Sequence, residues 1–173
     1  MNILFEFRLV KTFIFDMDGV LTDGNLQVHN DGQWIRDMNI KDGYALQLAV
    51  KSGYKVAIVS GSETPAVESR LRKLGIKDVF MKVTDKLNFL ELFLSENDLV
   101  PAGTLYMGDD IPDYQCMMLS GLPCCPADAA VEIKKICSYI SPFKGGDGCV
   151  RDVIEKTLKL NNHWPLNTSI PSA

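Results

Sequence analysis

Two aspartates that follow a short apolar run are the first residues in the sequence with an evident chemical use. Asp16 and Asp18 are separated by one residue and come directly after Phe13-Ile14-Phe15. A carboxylate nucleophile forms an aspartyl-phosphate, which divides one difficult displacement into two easier steps. A second carboxyl group beside it can protonate the leaving oxygen and then activate water. The spacing therefore predicts phosphoryl transfer to Asp16, with Asp18 as general acid and base.

A second acidic group lies late in the chain, in the run from Gly108 to Asp113, which contains Asp109 and Asp110. An anionic nucleophile is repelled by the phosphate, because at about 4 Å and an effective dielectric constant of about 20 each like-charge pair costs roughly 4 kcal/mol. Acidic residues can hold a cation that reduces this repulsion. A divalent cation offsets that repulsion. Oxygen ligands favour magnesium over zinc. The sequence predicts a Mg²⁺ cofactor and leaves open whether Asp110 or Asp113 contacts it.

Two further residues have the chemistry to hold a phosphate group. Ser60 follows a short apolar run and precedes Gly61, so a hydroxyl and backbone N–H groups are available there. Lys86 opens a predicted helix and can neutralise phosphate charge. Each signal is weak alone, but both lie between Asp18 and Asp109 in chain order. We therefore predict Ser60, Gly61 and Lys86 as phosphate-binding residues.

The elements that must position these residues alternate along the chain. Apolar runs at 9–15, 55–59, 79–81, 104–107 and 122–125 predict strands, and stripes within 45–49, 67–74, 87–94 and 150–158 predict helices. This alternation predicts an α/β fold, a Rossmann-like parallel sheet with helices on both faces. Ligands bind beyond the carboxyl ends of such strands. Asp16, Ser60 and Asp109 all fall at or just after predicted strand ends.

One segment departs from this alternation. Asp31-Gly32 lies between two apolar runs in 25–40, which is a hairpin signal. We therefore expect a single domain over 1–173 with a small hairpin insertion and no large cap domain. The tail after Asn161 is polar and contains proline, so we expect it to be mobile or to dock on a neighbour.

Composition excludes several classes of function. The net charge of −4 argues against nucleic acid as a partner. No apolar run approaches the roughly 20 residues of a membrane span. The N-terminal stretch is interrupted by Glu6 and Arg8 and does not resemble a signal peptide, so we expect a cytoplasmic protein. The five cysteines form no C-x-x-C pair and are expected to be buried thiols, and His29 and His163 lack the spacing of a zinc site.

The order Asp-x-Asp, Ser, Lys and Gly-Asp-Asp resembles the four motifs of the haloacid dehalogenase superfamily. The resemblance spans most of the chain. It implies Asp16 as nucleophile, Asp18 as general acid and base, and Ser60 and Lys86 as phosphate-holding groups. It also implies a magnesium ion held by Asp16, the backbone carbonyl of Asp18, and Asp109.

The stretches 16–24, 39–44 and 145–151 more closely resemble the 3-deoxy-D-manno-octulosonate 8-phosphate phosphatase family. This resemblance implies hydrolysis of a sugar-acid phosphate in lipopolysaccharide precursor synthesis. It also implies a homotetramer in which a neighbour's hairpin and tail help to enclose the site. Asp42, Gly43 and Arg151 would then lie near the substrate, and Arg70 is a further candidate for the sugar carboxylate.

Three alternatives stay open at this point. The run Ser60-Gly61-Ser62-Glu63 lacks the arginine that follows the glycine in many relatives. This leaves a nine-carbon sugar acid 9-phosphate as a possible substrate. A response-regulator receiver also uses an aspartate at a strand end, but its acidic pair precedes that aspartate, whereas here Gly-Asp-Asp comes late. A sugar-phosphate-binding module without activity is disfavoured because all four motifs are intact.

Overall fold

A computed structural model gives the fold of the chain and describes residues 2–165. The predicted tail after Asn161 is described only to Pro165, and the remainder lies outside the described residues. The helices and strands, in chain order, are α1 (Ile3–Leu9), β1 (Thr12–Phe15), β2 (Gln27–Val28), β3 (Trp34–Ile35), α2 (Ile40–Lys51), β4 (Lys55–Val59), α3 (Pro65–Lys73), β5 (Asp78–Phe80), α4 (Lys86–Glu96), β6 (Thr104–Met107), α5 (Tyr114–Leu119), β7 (Leu122–Cys125), α6 (Val131–Ile136), β8 (Tyr139–Ile140) and α7 (Cys149–Leu160).

The main sheet has six strands in the order β5-β4-β1-β6-β7-β8, and every neighbouring pair is parallel. β1 lies between β4 and β6, with Phe15 in register with Ile58 on one side and Met107 on the other. Helices cover both faces, so the predicted α/β, Rossmann-like fold class is confirmed. None of the described helices is long and apolar enough to cross a membrane.

The strands at 55–59, 104–107 and 122–125 have the predicted bounds, but the first strand is shorter than the predicted 9–15. Leu9 is the last residue of α1, so its assignment to a strand is wrong. The side chain of Asn2 caps this helix by accepting a hydrogen bond from the Leu4 N–H at 3.1 Å. Phe7 is buried and packs edge-on against Tyr139 at 5.2 Å between ring centroids. A helix of two turns leaves too short an apolar stripe to be recognised by periodicity.

The alternation of side chains along β1 divides the core into two layers. Phe13 and Phe15 belong to the apolar cluster that includes residues of α2 and α7. Ile14 belongs to the opposite cluster with Leu90 of α4 and Met117 of α5. By the same alternation, Asp16 follows Ile14 onto the face covered by α4 and α5.

β2 and β3 pair antiparallel as a separate two-stranded sheet, within the segment predicted to be a hairpin. His29 donates its N–H to the Gln33 carbonyl at 2.9 Å, and Gly32 takes a φ of +85° that favours glycine. The hairpin is too short to bury both of its faces. Large apolar side chains are therefore exposed on it and at the start of α2: Leu26, Val28, Trp34, Ile35 and Ile40.

Candidate active site

The polar residues at the carboxyl ends of β1, β4 and β6 meet at one edge of the sheet, as the sequence predicts. Asp16, Ser60 and Asp109 each follow one of these three neighbouring strands. A cleft of about 690 Å³ opens there. Its lining includes Asp16, Asp18, Ser60, Gly61, Ser62 and Lys86.

Lys86 reaches the predicted nucleophile from the first residue of α4. Its Nζ lies 2.8 Å from Asp16 Oδ1 and 2.8 Å from Asp113 Oδ1. The side chains of all three residues are at most 10% exposed. Asp85 holds the start of α4 in place by accepting a hydrogen bond from the Asn88 N–H at 3.0 Å. A buried ammonium group shared by two carboxylates fixes the position of Asp16.

Sequence reasoning missed Tyr106 and did not decide between Asp110 and Asp113. The Tyr106 hydroxyl donates to Asp113 Oδ1 at 2.9 Å, and the Asp109 N–H donates to Asp113 Oδ2 at 3.4 Å. Asp110 is exposed and accepts from the Ile111 N–H at 2.8 Å. Alternation along 104–107 already placed Tyr106 on the opposite face from Leu105 and Met107. That signal was available but does not distinguish a site residue from a core residue. The inner cluster is defined here as Asp16, Lys86, Tyr106, Asp109 and Asp113.

The inner cluster holds more negative than positive charge. Burial, followed by the charge of Asp113, raises the pKa of Asp16 to about 7 despite the nearby Lys86. Burial and the charges of Asp16 and Asp113 raise the pKa of Asp109 to about 7. Burial alone would lower the pKa of Lys86, but the two carboxylates outweigh it and raise that pKa. The lysine therefore stays charged, and the carboxylates lack a second cation.

The donor set of the inner cluster suits a divalent cation. Asp16, Asp109 and Asp113 can each offer one carboxylate oxygen, and these oxygens lie within 4.8 Å of one another. Carboxylate oxygens are the ligands that Mg²⁺ prefers. A cation at this point would also relieve the repulsion that raises the two carboxyl pKa values. The residues present therefore fit the predicted magnesium ion.

Asp18 points to a different set of partners. Arg36 donates to it through Nε, 2.6 Å from Oδ1, and through Nη2, 3.0 Å from Oδ2. Ser62 donates its hydroxyl to Oδ2 at 2.8 Å. These contacts place one hydrogen bond on Oδ1 and two on Oδ2, so one position stays available on Oδ1 for a proton or a substrate group. Asp18 is 32% exposed toward the cleft, whereas the Arg36 side chain is 1% exposed. Asp18 and Arg36 are called the outer pair below.

Two close backbone approaches hold the loop after β1 against the rest of the site. Gly19 has a φ of +82°, and a Cβ built on it would lie 2.0 Å from Asp109 Oδ2. Thr22 Oγ1 accepts hydrogen bonds from the N–H groups of Gly19 and Gly24, both at 3.3 Å. A Cβ on Gly145 would lie 2.0 Å from the Gly19 carbonyl oxygen. Glycine is therefore required where this loop meets Asp109 and the loop before α7.

The predicted substrate residues lie elsewhere in a single chain. The Asp42 carboxylate is buried and accepts from the Arg151 N–H at 2.7 Å, which caps the first turn of α7. A Cβ on Gly43 would lie 3.2 Å from Nη2 of Arg70. Arg151 lines a separate cleft of about 580 Å³ between the starts of α2 and α7. The structure therefore brings these residues near one another but not to the cleft of Asp16.

The residues predicted as nucleophile, general acid, phosphate-binding groups and metal ligands meet at the carboxyl edge of a parallel sheet. This fold and this arrangement are those of a haloacid dehalogenase-type hydrolase. No protein-family model matches the sequence. The 3-deoxy-D-manno-octulosonate 8-phosphate phosphatase KdsC of Escherichia coli K12 is 33% identical over 149 residues, covering 86% of this chain and 79% of the relative. The chain belongs to the 3-deoxy-D-manno-octulosonate 8-phosphate phosphatase family.

Solved structures agree with this membership. The crystal structure of this phosphatase from Yersinia pestis has a TM-score of 0.89 at 30% identity, covering 92% of this chain and 86% of that one. The Moraxella catarrhalis enzyme, in complex with a magnesium ion, a phosphate ion and a KDO molecule, also has a TM-score of 0.89 at 30% identity. That alignment covers 93% of each chain.

Proposed function

We propose that this protein is a magnesium-dependent phosphatase that hydrolyses 3-deoxy-D-manno-octulosonate 8-phosphate to the free sugar acid and phosphate, a step in lipopolysaccharide precursor synthesis. The observation that carries the proposal is the inner cluster, in which Asp16 is held by Lys86 beside two further carboxylates at the cleft. Family membership and the Moraxella catarrhalis complex with magnesium, phosphate and KDO support the cofactor and the substrate class.

In the proposed reaction an Asp16 oxygen attacks phosphorus while the bond from phosphorus to the ester oxygen breaks. Asp18 starts in its protonated form and gives that proton to the departing sugar oxygen. It then takes a proton from the water that attacks phosphorus and breaks the bond to Asp16, which restores the protonated form. Lys86, Ser60 and the N–H of Gly61 hold the phosphoryl oxygens. Asp16 returns to its carboxylate form when phosphate leaves, so the cycle closes.

Magnesium would be held by Asp16, Asp109 and the backbone carbonyl of Asp18, with Asp113 as a further oxygen donor. When bound, it supplies positive charge that offsets the repulsion between the nucleophile and the phosphate. Lys86 keeps its ion pairs with Asp16 and Asp113, which restrict the rotation of both carboxylates.

The substrate roles of Asp42, Gly43, Arg70 and Arg151 stay predictions. In a single chain these residues lie outside the cleft of Asp16, so a direct contact with substrate would need a neighbouring subunit. The N–H of Arg151 already has a structural partner in Asp42, and the Arg151 guanidinium lies 5.3 Å from the Trp164 ring centroid.

We also propose that the protein is one domain and assembles as a homotetramer through the hairpin. Its exposed apolar side chains form the kind of patch that marks a protein interface. Val28 on the hairpin and Val100 before β6 are 69% and 70% exposed, which makes them a matched pair. Val28→Glu should give a smaller species by light scattering, and Val100→Glu should leave the assembly unchanged. An unchanged mass for Val28→Glu would count against a hairpin interface.

We propose a cytoplasmic location, which is supported by five cysteines that are all free thiols. Buried reduced cysteines are typical of a reducing compartment. Fractionation of cells that express the full chain tests this location, and recovery of the protein outside the cytoplasmic fraction would contradict it.

The test of the function is phosphate release from 3-deoxy-D-manno-octulosonate 8-phosphate, with and without magnesium. We expect magnesium-dependent turnover that falls more than about 10,000-fold in Asp16→Asn. Asp110→Asn, in the same acidic run but exposed, is the control and should stay active. Good turnover only on a nine-carbon sugar acid 9-phosphate would keep the mechanism and reject the substrate. No turnover on either sugar would favour a binding module.

A further inference from the structure

The side chain of Arg36 is buried although those of the two residues before it are not. Its side chain is 1% exposed, whereas Trp34 and Ile35 on the hairpin are 58% and 39% exposed. The guanidinium therefore turns inward from β3 to the catalytic edge of the sheet. Two of its nitrogens, Nε and Nη2, donate hydrogen bonds to Asp18.

The other end of the guanidinium has no such partner. Nη1 is buried and donates to no acceptor among the residues 2–165 that the structure describes. A buried donor without a partner is destabilising, and more so when it is charged. Buried polar groups are nearly always paired, so the position calls for an oxygen acceptor from outside the chain.

The place of Arg36 indicates which part of the substrate supplies that oxygen. Arg36 contacts Asp18, which faces the departing sugar oxygen in the proposed mechanism. In the same mechanism the phosphoryl group is bound by Lys86 and Asp16, which contact each other at 2.8 Å, and neither of them is a partner of Arg36. The acceptor of Nη1 therefore belongs to the sugar part of the substrate.

We propose that Arg36 is a specificity-determining residue whose Nη1 donates to an oxygen of the leaving sugar. This inference rests on the proposed function and deepens it. Hydroxyl and carboxylate oxygens both suit a guanidinium donor. A substrate whose leaving group carries neither would gain nothing from Nη1 of Arg36.

The deciding measurement is direct binding, because it does not depend on proton transfer by Asp18. With magnesium present, calorimetry would compare binding of 3-deoxy-D-manno-octulosonate 8-phosphate to Asp16→Asn and to Asp16→Asn with Arg36→Gln. We expect Kd to rise about 10- to 100-fold on loss of Arg36. Arg72→Gln in the same background is the control, since Arg72 pairs with Glu68 on α3 and is 49% exposed.

Turnover then identifies the acceptor. Arg36→Gln and Arg36→Lys would be assayed on the sugar-acid phosphate, on glucose 6-phosphate and on para-nitrophenyl phosphate. We expect kcat/KM of Arg36→Gln to fall about 100-fold on the sugar acid and less than about 3-fold on the nitrophenyl ester. An equal fall on glucose 6-phosphate identifies a hydroxyl, and a smaller one identifies the carboxylate. Arg36→Lys keeps the charge, which guards against simple misfolding, but lacks the fork.

Unchanged binding in Arg36→Gln would overturn the proposal. If turnover alone fell, Arg36 would merely position Asp18, and if neither changed, Nη1 would be satisfied by solvent. The proposed function fails separately: a wild-type protein inactive on the eight-carbon sugar acid would reject that substrate. A selective loss on glucose 6-phosphate in Arg36→Gln would still support the role of Arg36.

Discussion

The inner cluster and the outer pair lie one residue apart in sequence, at Asp16 and Asp18, but they are built differently. The inner cluster lies at the ends of β1 and β6 and at the first residue of α4, next to the buried core. The outer pair joins a loop residue to a hairpin whose strands have two residues each. The first depends on the sheet, and the second on an insertion.

Their charges differ as well. The inner cluster sets three carboxylates against one ammonium group, and two of the carboxyl pKa values rise to about 7. The outer pair matches one carboxylate with one guanidinium. The excess of carboxylates in the inner cluster thus favours a bound metal cation. In the outer pair the guanidinium of Arg36 already supplies the positive charge. The inner cluster suits binding of metal and phosphate, and the outer pair suits proton transfer and recognition of the sugar.

Replacement of Lys86 should have the largest effect on the contrast between the two regions. Lys86→Gln removes the only ammonium that contacts Asp16 and Asp113 among the described residues. We expect kcat/KM to fall about 100- to 1,000-fold on every phosphate ester, because phosphoryl charge loses a preorganised cation. Phosphate release on the sugar acid and on para-nitrophenyl phosphate measures this.

The control is Lys82→Gln, a nearby lysine that is 64% exposed and pairs with Glu63. It should leave turnover within about 2-fold of wild type, as surface ion pairs contribute little. If Lys86→Gln lowered activity on the sugar acid but not on the nitrophenyl ester, the assignment of phosphate binding to the inner cluster would be wrong.

Gly19 lies between the two regions and tests how closely they must approach. Gly19→Ala places a Cβ 2.0 Å from Asp109 Oδ2, so Asp109 must move. Gly24→Ala, at a φ of +77°, carries a similar backbone strain but meets its nearest atom at 3.5 Å. We expect Gly19→Ala to lose about 100-fold in kcat/KM and to need more magnesium, whereas Gly24→Ala shows mainly the strain of about 1–2 kcal/mol.

Activity against magnesium concentration and urea unfolding separate these two effects. Equal losses of activity in both variants would mean that backbone strain, and not displacement of Asp109, explains the need for glycine at position 19.

Asp42 shows what burial does to a carboxylate outside both regions. Burial raises its pKa from 3.8 to about 6, against hydrogen bonds from the backbone of Arg151 and Gly148. The folded state then binds more protons than the unfolded state between about pH 4 and 6. The stability that comes from the protonated Asp42 carboxyl group is complete below about pH 4 and is lost as pH rises through about 6.

Asp42→Asn keeps an acceptor for the Arg151 N–H without the buried charge. The free energy of unfolding of Asp42→Asn minus that of wild type should therefore increase by up to about 3 kcal/mol as pH is raised from 4 to 7. Urea unfolding at both pH values measures this, with the exposed Asp37→Asn as control. A difference that does not change with pH would show that Asp42 is not responsible.

Sequence patterns predicted the residues at the strand ends far better than the partners of Asp18. Asp16, Ser60 and Asp109 follow buried strands, and parallel strands bring their ends to one edge whatever the loops do. Arg36 meets Asp18 only because the hairpin folds back over the loop after β1. No periodicity encodes that return. The helix α1 was missed for a related reason, since its burial depends on Tyr139, far along the chain.

The smallest effect is expected from Tyr106, a member of the inner cluster that does not line the cleft. Tyr106→Phe removes one hydrogen bond to Asp113 Oδ1, and Lys86 stays on the same oxygen. We expect a loss of about 1 kcal/mol in unfolding free energy and a several-fold rise in the magnesium concentration for half-maximal activity. Tyr139→Phe is the control, since it removes a part-buried hydrogen bond of 2.8 Å to Asp152, outside the inner cluster. It should lower stability by a similar amount and leave the magnesium requirement unchanged. A shift in magnesium requirement in both variants would attribute the effect to general loosening, whereas a shift in Tyr106→Phe alone would show that Asp113 must be oriented for the inner cluster to hold its cation.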